Sequence, residues 1–176
     1  SHVPVMVAAI IVAVLVMMLA AGTISEFIDK HPSLKMLALS GTYTHMTGCP
    51  AQVHNDLLAA TEPDAMPALD WGDLCRALAD WRHSPWCFVA SGRIRDLRTM
   101  INSCCDAIAQ HQQHRSLTTA IVVLRGDSHR LQLQHCAAVS SAIHGALGSR
   151  TTNLWFAAAR NPVLVDALTV TVVTDK

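Results

Sequence analysis

Apolar and polar positions divide the chain into three regimes. The first is an unbroken apolar run over residues 3–22, VPVMVAAIIVAVLVMMLAAG, with no charge and no side-chain amide or hydroxyl. As a helix it measures about 30 Å, the hydrocarbon thickness of a bilayer. A charge at its centre would cost about 2.5–3.5 kcal/mol, and it carries none. The run predicts a transmembrane helix; a buried core helix and a signal peptide are the other readings of such a pattern. The next stretch, TISEFIDKHPSLKMLALSG, allows a short helix from Thr23 or Ser25 with Ile24, Phe27 and Ile28 on one side, interrupted at Pro32. A second apolar run starts at Leu34 and fades at Gly41, too short to span. Lys30 and Lys35 lie after the long run and His2 precedes it, so the positive-inside rule places the downstream chain in the cytoplasm.

The second regime, residues 42–66, is linker-like, with Gly48, Pro50 and Pro63, and allows a short helix over 52–60. The third regime alternates helix and strand. Trp71, Leu74, Cys75, Leu78 and Trp81 share one face of a helix over 70–81. After Pro85, WCFVAS (86–91) reads as a buried strand. Ser91-Gly92 leads into a helix with Ile94, Leu97, Ile101, Cys104/Cys105 and Ile108 on its apolar face and Arg93, Arg95 and Arg98 on the other. LTTAIVVL (117–124) is a second strand, left at Gly126-Asp127. A third helix over 131–147 buries Cys136, Val139, Ile143 and Leu147, with Gly148 at its C-terminal cap. TNLWFAA (152–158) and LTVTVVT (168–174) are the last strands, joined across Asn161-Pro162. The expected class is α/β, an α+β-like layer: an N-terminal transmembrane helix followed by a four-stranded sheet with packed helices.

Composition adds few constraints. The 176 residues suit one domain plus an appendage, and the hydrophobic share of 51% is raised by the first run. The formal net charge of zero offers no electrostatic case for nucleic acid, and the arginine face is expected to be a solvated helix surface. None of the six cysteines forms a C-x-x-C pair, and Cys104 and Cys105 are adjacent. They read as small buried thiols in a reducing compartment, without disulfides. The ten histidines, among them His111, His114, His129 and His135, show no zinc spacing, so no metal is expected. Trp71, Trp81, Trp86 and Trp155 all lie inside predicted elements and are expected in the core.

Two family resemblances are carried by specific residues. The stretch 4–41, with FIDKHPSLKMLAL as its most specific part, resembles the TerC family of integral membrane proteins, associated with tellurite resistance and metal-ion handling. In that family K-M-L-A-L opens another full transmembrane helix; here it stops at Thr42-Tyr43-Thr44-His45. The series from Pro67 to Thr174, beginning ALDWGD and ending DALTVTVVT, resembles the C-terminal half of the bacterial tubulin homologue FtsZ. There the first element is the synergy loop, N-x-D-F-A-D-V, whose two acids help activate the water that attacks GTP on the neighbouring subunit. Carried over by position, the acids are Asp70 and Asp73, acting only in trans, while Ala68 stands in place of the family's asparagine. A helix N-cap at Asp70 and a dipole-complementing N3 acid at Asp73 are the plain structural alternative. The family's glycine-rich phosphate loop has no counterpart among the eight scattered glycines, so no cofactor is expected.

The resulting expectation is a TerC-like segment (1–41), a linker (42–66) and an FtsZ C-terminal-like domain (67–176). Together they would form a non-enzymatic interaction module on the bacterial inner membrane, its body in the cytoplasm. Its partners would be the lipid bilayer and an FtsZ- or tubulin-like protein or a second copy, with no nucleic acid. A fragment of a TerC-like metal-ion transporter and a subunit lending Asp70 and Asp73 to GTP hydrolysis are the alternatives. A fused or truncated reading frame is a further reading of the junction.

Overall fold

The computed structural model describes residues 12–13, 16–17, 49–79, 81, 85–112, 117–127, 130–148, 153–161 and 163–175. The chain divides into two compact units, Ser1–Thr44 and His45–Lys176. In the first unit Val12, Ala13, Val16 and Met17 are helical. The remainder of the expected transmembrane helix, and all of the TerC-like flank, lie outside the described residues. Among the described residues no helix is long and apolar enough to cross a membrane.

The second unit is built on a sheet of four strands, β1 (Trp86–Arg93), β2 (Thr119–Gly126), β3 (Asn153–Arg160) and β4 (Ala167–Thr174). Their spatial order is β1-β4-β2-β3, with β2 and β3 parallel and β4 antiparallel to both its neighbours. The central pair explains itself from sequence. AIVVL and LTVTVVT are continuous apolar and β-branched runs, as strands covered on both faces require. Residues 121–124 of β2 and 170–173 of β4 are fully buried.

The two faces receive different partners. Ala120, Val122 and Leu124 of β2 and Leu168, Val170 and Val172 of β4 join one core. Onto it pack α3 (Leu97–Gln112) through Met100, Cys104 and Ile108, and α4 (Leu133–Leu147) through Cys136, Val139, Ile143 and Leu147. Within each helix these residues fall on a single stripe at helical spacing. At the end of α4, Gly148 takes φ +71 and donates its N–H to the His144 carbonyl, the cap the sequence indicates. A short α1 (Ala51–Ala59), where the sequence allows a helix, meets β2, β3 and β4 with Val53, Asp56 and Leu57 buried. It touches Arg125 and Thr171, whose positions along β2 and β4 alternate with the α3–α4 core residues, so α1 covers the opposite face. α2 (Trp71–Ala79) comes next in the chain, burying Leu74, Ala77 and Leu78.

The structure corrects two expectations. The strand after Pro85 runs on through Ser91 and Gly92 to Arg93, and a 3-10 turn, Ile94–Asp96, precedes α3. Arg93, Arg95 and Arg98 therefore sit on a strand end, a turn and a helix, not on one helical face. Gly92 permits the extension, since a Cβ there would lie 3.0 Å from the Met100 sulfur.

The expectation of cysteines without disulfides is also overturned: Cys49 and Cys87 form a disulfide across 38 positions of sequence. Cys75, Cys104, Cys105 and Cys136 are free. The bond fastens the start of α1 to β1, and by restricting the unfolded chain it is expected to contribute about 2–4 kcal/mol. Cys49→Ser should lower stability by that amount under oxidising conditions and change nothing in excess dithiothreitol, as denaturant unfolding will show.

Candidate functional site

Asp70 and Asp73 stand where residues 61–70 give way to α2. The approach to them is anchored by backbone bonds. Met66 donates its N–H to the Ala158 carbonyl (2.7 Å), and Ala158 donates back to the Pro67 carbonyl (2.9 Å), so residues 66–67 line the outer edge of β3. The peptide between Met66 and Pro67 is cis. Leu69 is buried and donates its N–H to the Ala60 carbonyl (2.8 Å), tying the end of the loop to the end of α1.

Beyond Leu69 the chain emerges and Asp70 is exposed. Its Oδ1 accepts the Gly72 N–H at 2.6 Å and its carbonyl accepts the Leu74 N–H at 3.0 Å, the two bonds of an N-cap. Asp73, in the first turn, accepts from Arg76 Nη1 at 3.2 Å, and its side chain is 34% exposed. Both carboxylates thus have local roles at the positive end of a helix, and both still face solvent. Ala68 is exposed as well. Among the described residues no group of three His, Cys, Asp or Glu side chains could hold a metal.

A second constellation escapes sequence reasoning. Asp56 is fully buried on α1, yet it is an acid. Its Oδ1 accepts from Arg125 Nη1 at 2.7 Å and from Gln52 Nε2 at 2.9 Å, while Oδ2 accepts the Thr171 hydroxyl. Arg125 lies near the end of β2 and its side chain is only 15% exposed. A buried ion pair of this kind offsets its desolvation only when further hydrogen bonds complete it, as Gln52 and Thr171 do. One signal is present in the sequence: Val53, Asp56, Leu57 and Ala60 share helical spacing, which puts the acid on the apolar stripe.

The remaining candidates settle into packing. His111 is half-buried and stacks on Trp86 with ring centroids 4.7 Å apart. His114 and His129 lie outside the described residues. Trp81 is buried and Trp71, Trp86 and Trp155 are half-buried. Burial, with the neighbouring Cys105 thiol adding to it, pushes the Cys104 thiol from 9.0 up to about 12. A raised thiol pKa means the folded chain keeps a proton that the unfolded chain releases above pH 9. Stability should therefore fall as pH rises from about 9 towards 12. Iodoacetamide at pH 8.5 should leave native Cys104 unmodified, which mass spectrometry of the peptide will show.

No family model matches the chain. An N-terminal stretch of 40 residues is 60% identical to a UPF0053 protein of Haemophilus influenzae and 56% identical to the UPF0053 inner membrane protein YgdQ of Escherichia coli K12. Each match covers 23% of this chain and 17% of the relative, so the chain spans about a sixth of the relatives' length. The TerC-like resemblance of the N-terminal region is thereby supported. Among solved structures, an empty FtsZ dimer of M. jannaschii aligns with 74% of this chain and 41% of its own, at TM-score 0.55 and 12% identity. A mutant FtsZ of the same organism aligns with 76% and 43%, at TM-score 0.53 and 12% identity. The body therefore has the fold of the C-terminal part of the FtsZ and tubulin class.

Proposed function

We propose that the chain is a membrane-tethered interaction module, residues 1–41 serving as the tether and the unit from His45 to Lys176 as a docking body of the FtsZ C-terminal type. The observation that carries this reading is the body itself: an FtsZ-like sheet with two solvent-facing acids, Asp70 and Asp73, at the first turn of α2. The tether reading is supported by the uncharged run 3–22 and by the inner-membrane relative over the same end of the chain. Carbonate extraction of cells expressing the chain is expected to leave it in the membrane pellet; release of full-length protein to the supernatant would end the tether.

The body's own role is non-enzymatic, and its partner is an FtsZ-type protein or a second copy. Lys30 and Lys35 favour a cytoplasmic body, whereas the Cys49–Cys87 bond favours an oxidising compartment. We take the charge rule as the guide to orientation. A C-terminal reporter active only in the cytoplasm tests it, and activity of a periplasm-only reporter would reverse the orientation. The second reading, Asp70 and Asp73 lent to a nucleotide on another polypeptide, is favoured by their exposure and by the match in position to the synergy loop.

A further inference from the structure

The two edges of the sheet are treated differently. The outer edge of β3 is bonded by residues 66–67. Among the described residues no backbone hydrogen bond is made along the outer side of β1, the other edge, although Cys49 Sγ lies 4.0 Å from the Pro85 carbonyl just before the strand. Which of its backbone groups point outward is set by register. Ile94 donates to the Asp166 carbonyl, one step beyond the Arg93↔Ala167 pair, so the even positions of β1 bond to β4. Asp175 donating to the Thr119 carbonyl gives the same parity from the other side of β4. Cys87, Val89, Ser91 and Arg93 consequently turn their N–H and C=O groups away from the sheet. Natural edge strands are usually blunted by charge, proline or a bulge. From Trp86 to Gly92 the strand, WCFVASG, has no charge or proline, and its pairing is continuous.

Beside that edge lies an open groove of about 500 Å³ between β1 and the start of α3, lined by Phe88, Ser91, Gly92, Asp96, Thr99 and Met100 among others. It is apolar at the Phe88 and Met100 wall, bears the hydroxyls of Ser91, Thr99 and Ser103, and carries one acid, Asp96. Arg93, Arg95 and Arg98, all exposed, neighbour Gly92 and Asp96 along the chain and outnumber that acid. Arg95 meets Asp96 only at 3.9 Å, and among the described residues neither Arg93 nor Arg98 has a carboxylate partner.

We propose that the outer edge of β1 and its groove dock an extended acidic segment of a partner protein, added to the sheet as a further strand. Main-chain bonds to Val89 and Ser91 supply the pairing, an apolar side chain enters beside Phe88 and Met100, and carboxylates meet Arg93 and Arg95. Charge decides the occupant. A second copy pairing β1 to β1 would bring no acid, since that strand has none, and would leave the arginines uncompensated. The site rests on the interaction-module reading but uses a surface separate from Asp70 and Asp73.

The test uses the full chain in detergent micelles and two short blocked peptides, one alternating glutamate with valine and one alternating lysine with valine. The glutamate peptide is expected to bind roughly tenfold tighter at low salt and to slow amide exchange at Val89 and Ser91. Arg93→Glu with Arg95→Glu, both at exposed positions, should reverse the preference. Val89→Pro removes an outward donor without touching a ladder bond, and should abolish binding of both peptides. Equal affinity for the two peptides, exchange slowed elsewhere, or slowing at Val89 and Ser91 by self-association without peptide would each overturn the proposal. If the glutamate peptide fails while the chain still alters an FtsZ-type partner's GTPase rate, the edge site alone is wrong. If both fail, the interaction reading goes with it.

Discussion

Replacing Asp56 with alanine is expected to destabilise the body by about 3–5 kcal/mol. The carboxylate is fully buried and holds the Arg125 guanidinium, the Gln52 amide and the Thr171 hydroxyl at once. Its removal strands a cation whose side chain is 15% exposed and leaves a buried hydroxyl without its acceptor. The Coulomb attraction itself is not the measure, because two charges withdrawn from water have already lost their hydration. The contrast variant makes this visible: Asp56→Leu with Arg125→Met removes both charges together and should recover most of the loss. Thermal unfolding of the two variants against the parent, followed by near-ultraviolet circular dichroism, reads the difference. At about 3–5 °C per kcal/mol for a unit of this size, the alanine variant should melt roughly 10 °C or more below the parent. A fall of only one or two degrees would mean that water reaches Arg125 and that the pair is effectively a surface contact.

The purified chain is expected to show no GTP turnover above buffer, and Asp70→Ala with Asp73→Ala is expected to remove entirely any change it causes in an FtsZ-type partner's GTPase rate. Phosphate binding needs converging backbone N–H groups, supplied most often by a glycine-rich turn opening a helix. α2 opens on Asp70-Trp71-Gly72-Asp73, which presents carboxylates where a phosphate would need donors. Those acids repel a nucleotide unless a metal or a cationic partner stands between. The double variant carries a control within itself. Losing the Asp70 cap should cost about 1 kcal/mol of stability whatever the function, so a changed melting point alone does not count. If the variant still alters the partner's rate, the two carboxylates are caps and nothing more. Turnover by the isolated chain that disappears in the variant would overturn the non-enzymatic reading.

The parts of this fold legible in sequence are those in which a single element carries its own signal. β2 and β4 announce themselves because strands covered on both faces need unbroken apolar runs, and α4 because its stripe ends at a glycine with positive φ. The end of β1 is hidden because Ser91-Gly92 resembles a turn, and only the proximity of Met100 shows why a glycine belongs in the strand. The disulfide leaves no trace in spacing: Cys49 and Cys87 meet through the packing of α1 on the sheet, a relation between distant segments. Asp56 escapes notice for the same reason, because its partners Arg125 and Thr171 lie on strands far along the chain. At the candidate site the N-cap geometry is readable from Asp70-x-Gly72-Asp73, whereas its anchoring to Ala158 depends on strand order, which no local pattern encodes.

The bond between Cys49 and Cys87 also determines how the body would carry mechanical load. A pull applied to the chain upstream of Cys49 passes through sulfur directly into β1, which is paired along its whole length to β4. While the bond is intact, the backbone between the two cysteines is a closed loop in parallel with that path. α1, the segment holding Asp70 and Asp73, and α2 all lie within the loop and are spared the tension. Reduction opens the shortcut, and the same pull would then be borne by α1 and its Asp56–Arg125 anchor before reaching the sheet.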